Sequence, residues 1–454
     1  MRLLSLFAVF PFVFLAIKLS QLGIRISDTN VYFYTAYEIL KGKILYKDIF
    51  FTNFPLFPYV SSFYLMLSKG NINWYYATAV LEVVLSSMLI ANIVYKKSKK
   101  IYLSLLSQVF YLFSFIILTT SDHQSGVFLA SLLSLIAYEF YDKKRFIISG
   151  IFLGLMIMVK AYYFPIAAAF FLHLLLKQKN KIPSFSLGVI ISILATLAFF
   201  ISVAGEKLVA DVFHYSLFRS QGISKGRIFS FFILNDPLLF LAFCYSFFQW
   251  RKNLLLVIIG LFSFILLIFY QDIYYLYLNL LVPFLVFSFS DAMIKFEDNL
   301  KQGRLFIVGT ICLFILVGFT KYMSSYANLQ KIEQIEKLVK IIKKESPDFI
   351  YGSMGIAPAL AYLSDTPLLE GVIDTNDNLF YKGVLNAKHM TRAVFRHKTM
   401  VVSTGSYYPG QGVDQQLSEA IFDKELIENG CDMVESLAVK AEGIINRINL
   451  FKCY

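Results

Sequence analysis

Two acidic side chains that could take part in proton transfer lie beside apolar segments of the chain. Asp28 follows the apolar segment 3–22 and opens a polar stretch that extends to Tyr59, and Asp122 separates two later apolar segments. If both face one water-filled cavity, they could serve as general base and as orienting group or metal ligand. The alternative at each position is helix capping, because Asp is a common residue immediately before a helix.

A lysine at the end of an apolar run offers positive charge near the same surface. Lys160 ends the run that begins at Gly150, and the i, i+4 spacing of Gly150 and Gly154 lets another helix approach closely. The lysine side chain could extend to lipid headgroups, or it could meet an anionic substrate. Both interpretations stay open from the sequence.

The polar segment 205–227 is basic, although the topology derived below places it outside. Its basic side chains are Lys207, Arg219, Lys225 and Arg227. Positive charge is normally depleted from outer loops, so a phosphate at the outer leaflet is the natural partner. We expect Arg219 and Arg227 to bind it, because the planar guanidinium group fits phosphate oxygens in a bidentate way. General attraction to anionic lipid is the alternative.

Other reactive side chains have a structural interpretation as well as a functional one. Glu82 lies well inside the second long apolar segment, where it marks either a functional site or a polar contact between helices. His123 is interpreted as an interfacial side chain and not as a ligand. Cys431 and Cys453 could form a disulfide or remain two thiols. The four cysteines do not have the spacing of a metal site.

The composition is that of a membrane protein. The chain has 454 residues, of which 57% are hydrophobic and 16% charged, and its mean hydropathy is +0.64. Soluble domains are about half apolar and about a quarter charged. Long continuous apolar runs indicate helices and not a barrel. The net charge of +12 falls mostly in short loops between these runs, which argues against a nucleic-acid-binding protein.

Basic clusters define the expected topology. Those at 96–100, 142–145 and 177–181 alternate with the intervening apolar segments, as cytoplasmic loops do. They predict about eleven spans with the N-terminus in the cytoplasm, and segment 56–67 as an interfacial helix. The span 228–248 should kink at Asn235-Asp236-Pro237. Lys18 should extend toward the outer membrane surface.

The composition changes near the end of the last span, so we predict two domains. Residues 1–322 form the transmembrane domain, and residues 323–454 form a small α/β domain on the extracytoplasmic face. The latter should contain an amphipathic helix at 329–344 and strands at 349–351, 399–402 and the last residues. The fold class is therefore mainly α, a helical membrane bundle with a small C-terminal α/β domain.

Three motifs in the first two-thirds of the chain form a pattern. They are Ser27-Asp28-Thr29-Asn30-Val31-Tyr32 with Ala36, Gly42, Tyr46 and Pro55; Asp122 followed by the glycine-rich run ending in Lys160; and Tyr274-Tyr275-Leu276 with Pro283. Together they resemble the GT-C class of integral-membrane glycosyltransferases, which includes protein O-mannosyltransferases and aminoarabinose transferases. The chain departs from that pattern in having Thr29 where many members have a second acidic residue, and Gln271 and Asp272 where a basic residue precedes the tyrosine.

The resemblance implies a donor, an acceptor and site residues. The donor would be a polyprenyl-phosphate-linked sugar, transferred with inversion to a lipid, glycan or protein acceptor on the outer face. Asp28 would be the general base and Asp122 the second catalytic carboxylate. The substrate-binding residues would be Lys160, Arg219, Arg227, Tyr59 and Tyr274. No cofactor follows with certainty, and a divalent cation is an open possibility.

Three other functions compete with this one. A transporter or flippase for a lipid-linked solute would use Glu82 and Lys160 along its pathway, but the internal repeat typical of such proteins is not seen in the sequence. A polymerase of lipid-linked saccharides would also suit a basic outer loop. A non-catalytic assembly or sensor protein would act through its outer α/β domain.

Overall fold

The computed structural model describes residues 2–214, 223–251, 253–271, 273–299, 303–325, 334–376, 379–380, 383–404, 426–441 and 444–454. The first and larger part is a helical bundle. Its helices are α1 Arg2–Ser20, α2 Thr29–Leu40, α3 Leu56–Leu67, α4 Ile72–Ser98, α5 Ile101–Leu112, α6 Phe115–Thr120, α7 Val127–Asp142, α8 Phe146–Val159, α9 Phe164–Lys177, α10 Ile182–Ala204, α11 Glu206–Val209, α12 Lys225–Asn235, α13 Pro237–Phe248, α14 Leu254–Phe269, α15 Val282–Asn299 and α16 Gly303–Ser325.

Several apolar segments that read as single spans are divided into shorter helices. In the described part of the chain, helix α4 and the segment Lys179–Ala204 are each long and apolar enough to cross a membrane, and α12 with α13 would make a third if taken together. The number of eleven spans therefore stays a prediction. Segment 56–67 is helix α3, as expected.

The expected kink at Pro237 is confirmed and is sharp. Helices α12 and α13 meet at 100°. Asp236 lies at the bend, and its carboxylate accepts the backbone N–H groups of Phe115 at 2.8 Å and Ile116 at 2.9 Å. These two N–H groups belong to the first turn of α6, where backbone N–H groups have no acceptor within their own helix. The bend thus positions the Asp236 carboxylate to cap the N-terminus of the neighbouring helix α6.

Close packing of α8 on α10 follows from glycine, as the sequence predicted for Gly150 and Gly154. A Cβ atom at Gly150 would lie 2.2 Å from the carbonyl oxygen of Phe185, and one at Gly188 would lie 2.1 Å from that of Ile147. Any side chain at these positions would separate the two helices. Helix α8 ends at Val159, immediately before Lys160.

The C-terminal part is α/β, as predicted. Helices α17 Ile335–Glu345, α18 Ala357–Ser364 and α19 Ala387–Arg396 accompany strands β1 Phe349–Gly352, β2 Thr399–Thr404, β3 Asp432–Ala441 and β4 Ile444–Cys453. The sheet order is β1-β2-β4-β3, with β1 parallel to β2 and the other pairs antiparallel. The strand β3 was not predicted, and residues 329–333 of the predicted amphipathic helix lie outside the described residues. Cys431 and Cys453 form a disulfide.

The C-terminal part packs on α2 and on the start of α4 through a shared apolar core. The ring of Tyr362 on α18 meets those of Phe33 and Tyr37 edge to face, with centroids 4.7 and 4.9 Å apart. Its hydroxyl donates to the carbonyl oxygen of Gly70 at 2.7 Å. Aromatic pairs of this kind contribute about 0.5–1.5 kcal/mol each beyond the area they bury. The C-terminal part therefore covers the face of α2 that carries Phe33 and Tyr37.

Candidate active site

Asp28 lies immediately before α2, yet its side chain does not cap that helix. The carboxylate makes no hydrogen bond to the first backbone N–H groups of α2. Its Oδ1 atom instead lies 2.7 Å from Nε2 of His123, and 44% of the side-chain surface is exposed. The capping interpretation of this side chain is therefore wrong, and the carboxylate is available at one end of the bundle.

His123 lies in the turn between α6 and α7 and is bonded on both ring nitrogens. Its Nδ1 atom lies 3.1 Å from Oγ of Ser27 and 3.4 Å from Oγ1 of Thr29. The interpretation of His123 as an interfacial side chain did not include this contact with Asp28. The pair joins two distant parts of the chain, so local sequence carried little signal. The one hint was a titratable residue adjoining Asp122 at the start of a span.

The charges around Asp28 keep its carboxyl group ionised. Desolvation by the surrounding protein acts to raise its pKa, but His123 and, more weakly, Lys160 outweigh this and lower the pKa to about 2. A carboxylate that can only accept hydrogen bonds requires the Nε2 atom of His123 to carry the proton of their bond. Asp28 is thus ionised at neutral pH.

Lys160 lies at the break between α8 and α9, facing the protein and not the headgroups. It is 6% exposed, with extended backbone angles that interrupt the helix. Its Nζ atom donates to the hydroxyl of Tyr32 at 2.6 Å and lies 4.5 Å from the centre of that ring. The two carriers of charge that the sequence singled out, Asp28 and Lys160, are therefore brought together around α2.

Asp122 is held in a buried ion cluster. It is 3% exposed, and its Oδ2 atom lies 2.5 Å from Nη2 of Arg25 and 3.2 Å from Nζ of Lys18. Burial would raise the pKa of Asp122, but Arg25 and Lys18 lower it on balance. The N-cap of α7 is Gly126, so the capping interpretation of Asp122 is wrong. Lys18 is fully buried and does not extend to the membrane surface.

The other predicted substrate-binding residues are spread around this centre. Tyr59 on α3 packs against Phe200, with ring centroids 5.3 Å apart. The ring centroids of Tyr274 and Tyr277 are 6.5 Å apart. The Tyr277 ring in turn stacks on that of Tyr162, with centroids 4.1 Å apart, and Tyr162 follows Lys160 by two residues. This row of aromatic rings connects Tyr274 to the break after α8.

The structure describes one of the two arginines that are expected to bind phosphate. Arg227 is exposed in the first turn of α12. Arg219 lies outside the described residues, so its role stays a prediction.

Glu82 is in contact with a neighbouring helix. It is 3% exposed and accepts a hydrogen bond of 2.9 Å from the hydroxyl of Tyr64 on α3. This contact favours the structural interpretation of Glu82. In the described part of the chain, no three His, Cys, Asp or Glu side chains gather as a metal site would require. The divalent cation stays an untested expectation.

Comparisons with known proteins identify the fold. No family model and no curated protein matches the chain. Solved structures do match, among them ArnT from Cupriavidus metallidurans bound to undecaprenyl phosphate, with a TM-score of 0.61, and the same protein in the apo state, with a TM-score of 0.62. Each is 11% identical, and the match covers 98% of this chain and 97% of the other. The chain therefore has a GT-C-like fold.

Proposed function

We propose that the chain is a GT-C-type glycosyltransferase that moves a sugar from a polyprenyl-phosphate-linked donor to an acceptor on the extracytoplasmic face. The observation that carries this proposal is the contact of 2.7 Å between Asp28 and His123, next to Lys160, in a chain whose GT-C-like fold extends over 98% of its length. The arrangement places an ionised carboxylate within electrostatic reach of the buried Lys160 at one end of a membrane bundle.

The proposed reaction is a direct displacement at the anomeric carbon. An acceptor hydroxyl attacks that carbon as the bond to the phosphate oxygen breaks, so the configuration is inverted and the lipid phosphate leaves with the bonding electrons. Asp28 takes the hydroxyl proton as the carbon develops positive charge. The exposed part of the Asp28 side chain leaves room for the acceptor to approach.

Lys160 is the proposed partner of the departing phosphate. A cation that is already positioned and shielded from water stabilises the developing charge without reorganisation. The side chain meets both conditions, because it is 6% exposed and is fixed by the hydroxyl of Tyr32. Arg219 and Arg227 of the basic segment 205–227 would add contacts to the phosphate.

Asp122 is proposed to be the orienting group and not a second base. Its buried oxygen is engaged by Arg25 and Lys18, and it directly precedes His123 in the chain. Removal of one partner from a buried ion pair typically costs about 3–5 kcal/mol. Asp122 thus anchors the turn that carries His123 to Asp28.

The lipid nature of the donor is supported by the fold comparison. The matching ArnT structure is described as bound to undecaprenyl phosphate, and a similar lipid is proposed here. The proposal does not specify which sugar is transferred, and the acceptor can be a lipid, a glycan or a protein.

The test uses purified protein and a labelled polyprenyl-phosphate sugar. We expect lipid phosphate to be released only when an acceptor is present, with the label recovered in the product. A transporter would move the intact donor across a vesicle membrane without breaking this bond. Transport of the intact donor with no release would overturn the proposal.

A further inference from the structure

The C-terminal α/β part directly contacts the segment that carries Asp28. The backbone N–H of Ser27 donates to the carbonyl oxygen of Gly355 at 3.0 Å. The side-chain amide of Asn30 donates to the same oxygen at 2.5 Å. Gly355 thus holds the residues on both sides of Asp28 through one carbonyl group.

Asn30 extends this contact into the helical bundle. It is fully buried, it donates to the carbonyl oxygen of Arg25 at 2.9 Å, and it accepts from the hydroxyl of Tyr76 on α4 at 2.5 Å. The position of the Asp28 segment is therefore fixed between α4 on one side and the turn at Gly355 on the other.

The turn at Gly355 is attached to the sheet of the C-terminal part. It follows β1, and Ser353 is tied to β2 by a backbone hydrogen bond of 2.8 Å to Val402 and by a side-chain hydrogen bond of 2.9 Å to Thr404. A side chain at this position would displace its neighbours: a Cβ atom at Gly355 would lie 2.8 Å from Cγ2 of Ile26, which would have to shift, and 3.4 Å from the backbone nitrogen of Ser27.

We infer that the C-terminal domain is a working part of the transferase, in which Gly355 is a positioning residue that sets the place of the Asp28 carboxylate. This inference rests on the proposed function. It gives the domain a task in the catalytic step itself, in addition to any recognition of the acceptor. A misplacement of about 1 Å at a catalytic group can cost about a hundredfold in rate.

The test compares Gly355→Ala and Asn30→Ala with Gly318→Ala, in full-length protein. Gly318 is a matched control, because a Cβ atom there meets no atom within 4 Å. Two readouts are measured: release of lipid phosphate from the labelled donor, and hydrogen–deuterium exchange of the amides at 26–30. We expect both test variants to lower kcat about a hundredfold with little change in the KM for the donor, and to speed exchange at 26–30. Gly318→Ala should behave like the unmodified protein.

The two readouts separate the two proposals. Unchanged exchange or unchanged turnover in Gly355→Ala and Asn30→Ala would overturn the role of the C-terminal domain. If the unmodified protein releases no lipid phosphate, the proposed transferase function fails, whereas the exchange data still decide whether Gly355 sets the position of the Asp28 segment.

Discussion

The Nε2 atom of His123 lies 2.7 Å from Oδ1 of Asp28, and this contact joins the turn after α6 to the segment before α2. It fixes one oxygen of the carboxylate. It also holds the pKa of Asp28 at about 2, so that this group stays ionised over the whole neutral range. The predictions below concern this pair and the charges around it.

Replacing His123 should move the acid limb of the pH profile. With His123→Ala, a group that lowers the pKa of Asp28 is lost, so that pKa rises from about 2. The fall of kcat/KM on the acid side, which reports the free enzyme, should therefore occur at higher pH. The measurement is kcat/KM against pH, with lipid phosphate release as the signal.

His123→Gln serves as the conservative variant, because its amide N–H can occupy the place of Nε2. It should retain more activity than His123→Ala. Lys160, which also lowers the pKa of Asp28, stays in place in all variants. His389→Ala, at an exposed histidine of the C-terminal part, is the matched control. An acid limb at the same pH in His123→Ala would refute the account of this pair.

Lys160 should contribute mainly to the departure of the phosphate. Lys160→Met keeps much of the length of the side chain but removes its charge, so kcat should fall by about a hundred- to a thousandfold, as on loss of one oxyanion-stabilising donor. Lys143→Met removes an exposed lysine near the end of α7 and should leave turnover unchanged. Full turnover in Lys160→Met would remove this lysine from the mechanism.

Arg219 and Arg227 should bind the donor phosphate through their planar guanidinium groups. Arg219→Lys keeps the charge but loses the bidentate geometry, so it should weaken donor binding more than Lys177→Arg at the exposed end of α9. Binding is measured as the KM for the donor at fixed acceptor. If Arg219→Ala and Arg227→Ala both leave that KM unchanged, the basic segment binds lipid headgroups and not the donor phosphate.

The C-terminus should lie on the extracytoplasmic face. The alternating basic clusters place the N-terminus in the cytoplasm, and an odd number of spans then carries the chain to the other side. A reporter active only in the cytoplasm, fused after Tyr454, should be silent, whereas the same reporter after Lys144 should be active. Activity after Tyr454 would contradict the extracytoplasmic location of the C-terminal domain and of Asp28.

Periodicity and local chemistry predicted much of the fold. The bend at Pro237 follows from the missing backbone N–H of proline, and the approach of α8 to α10 follows from Gly150 and Gly154. The short helix α3 was predicted with its observed ends, because its apolar run is too short to span a membrane. These features depend on residues that are close in sequence.

Contacts between distant segments were beyond such reasoning. The division of segment 101–119 at Phe113-Ser114 depends on Asp236, which caps α6 from another helix. Likewise, Asp122 meets Lys18 and Arg25 only after the bundle has formed. Asp28 and Lys160 were singled out from their types and positions, but the contact of Asp28 with His123 was not foreseen.

The most direct test of the account is the turnover of Asp28→Asn compared with that of Asp28→Ala. Asn keeps the shape of the side chain but cannot take a proton, so turnover should fall by about a hundred- to ten-thousandfold while the donor still binds. Both variants should be equally inactive if proton transfer is the task of Asp28. Full release of lipid phosphate by a well-folded Asp28→Asn protein would contradict the account.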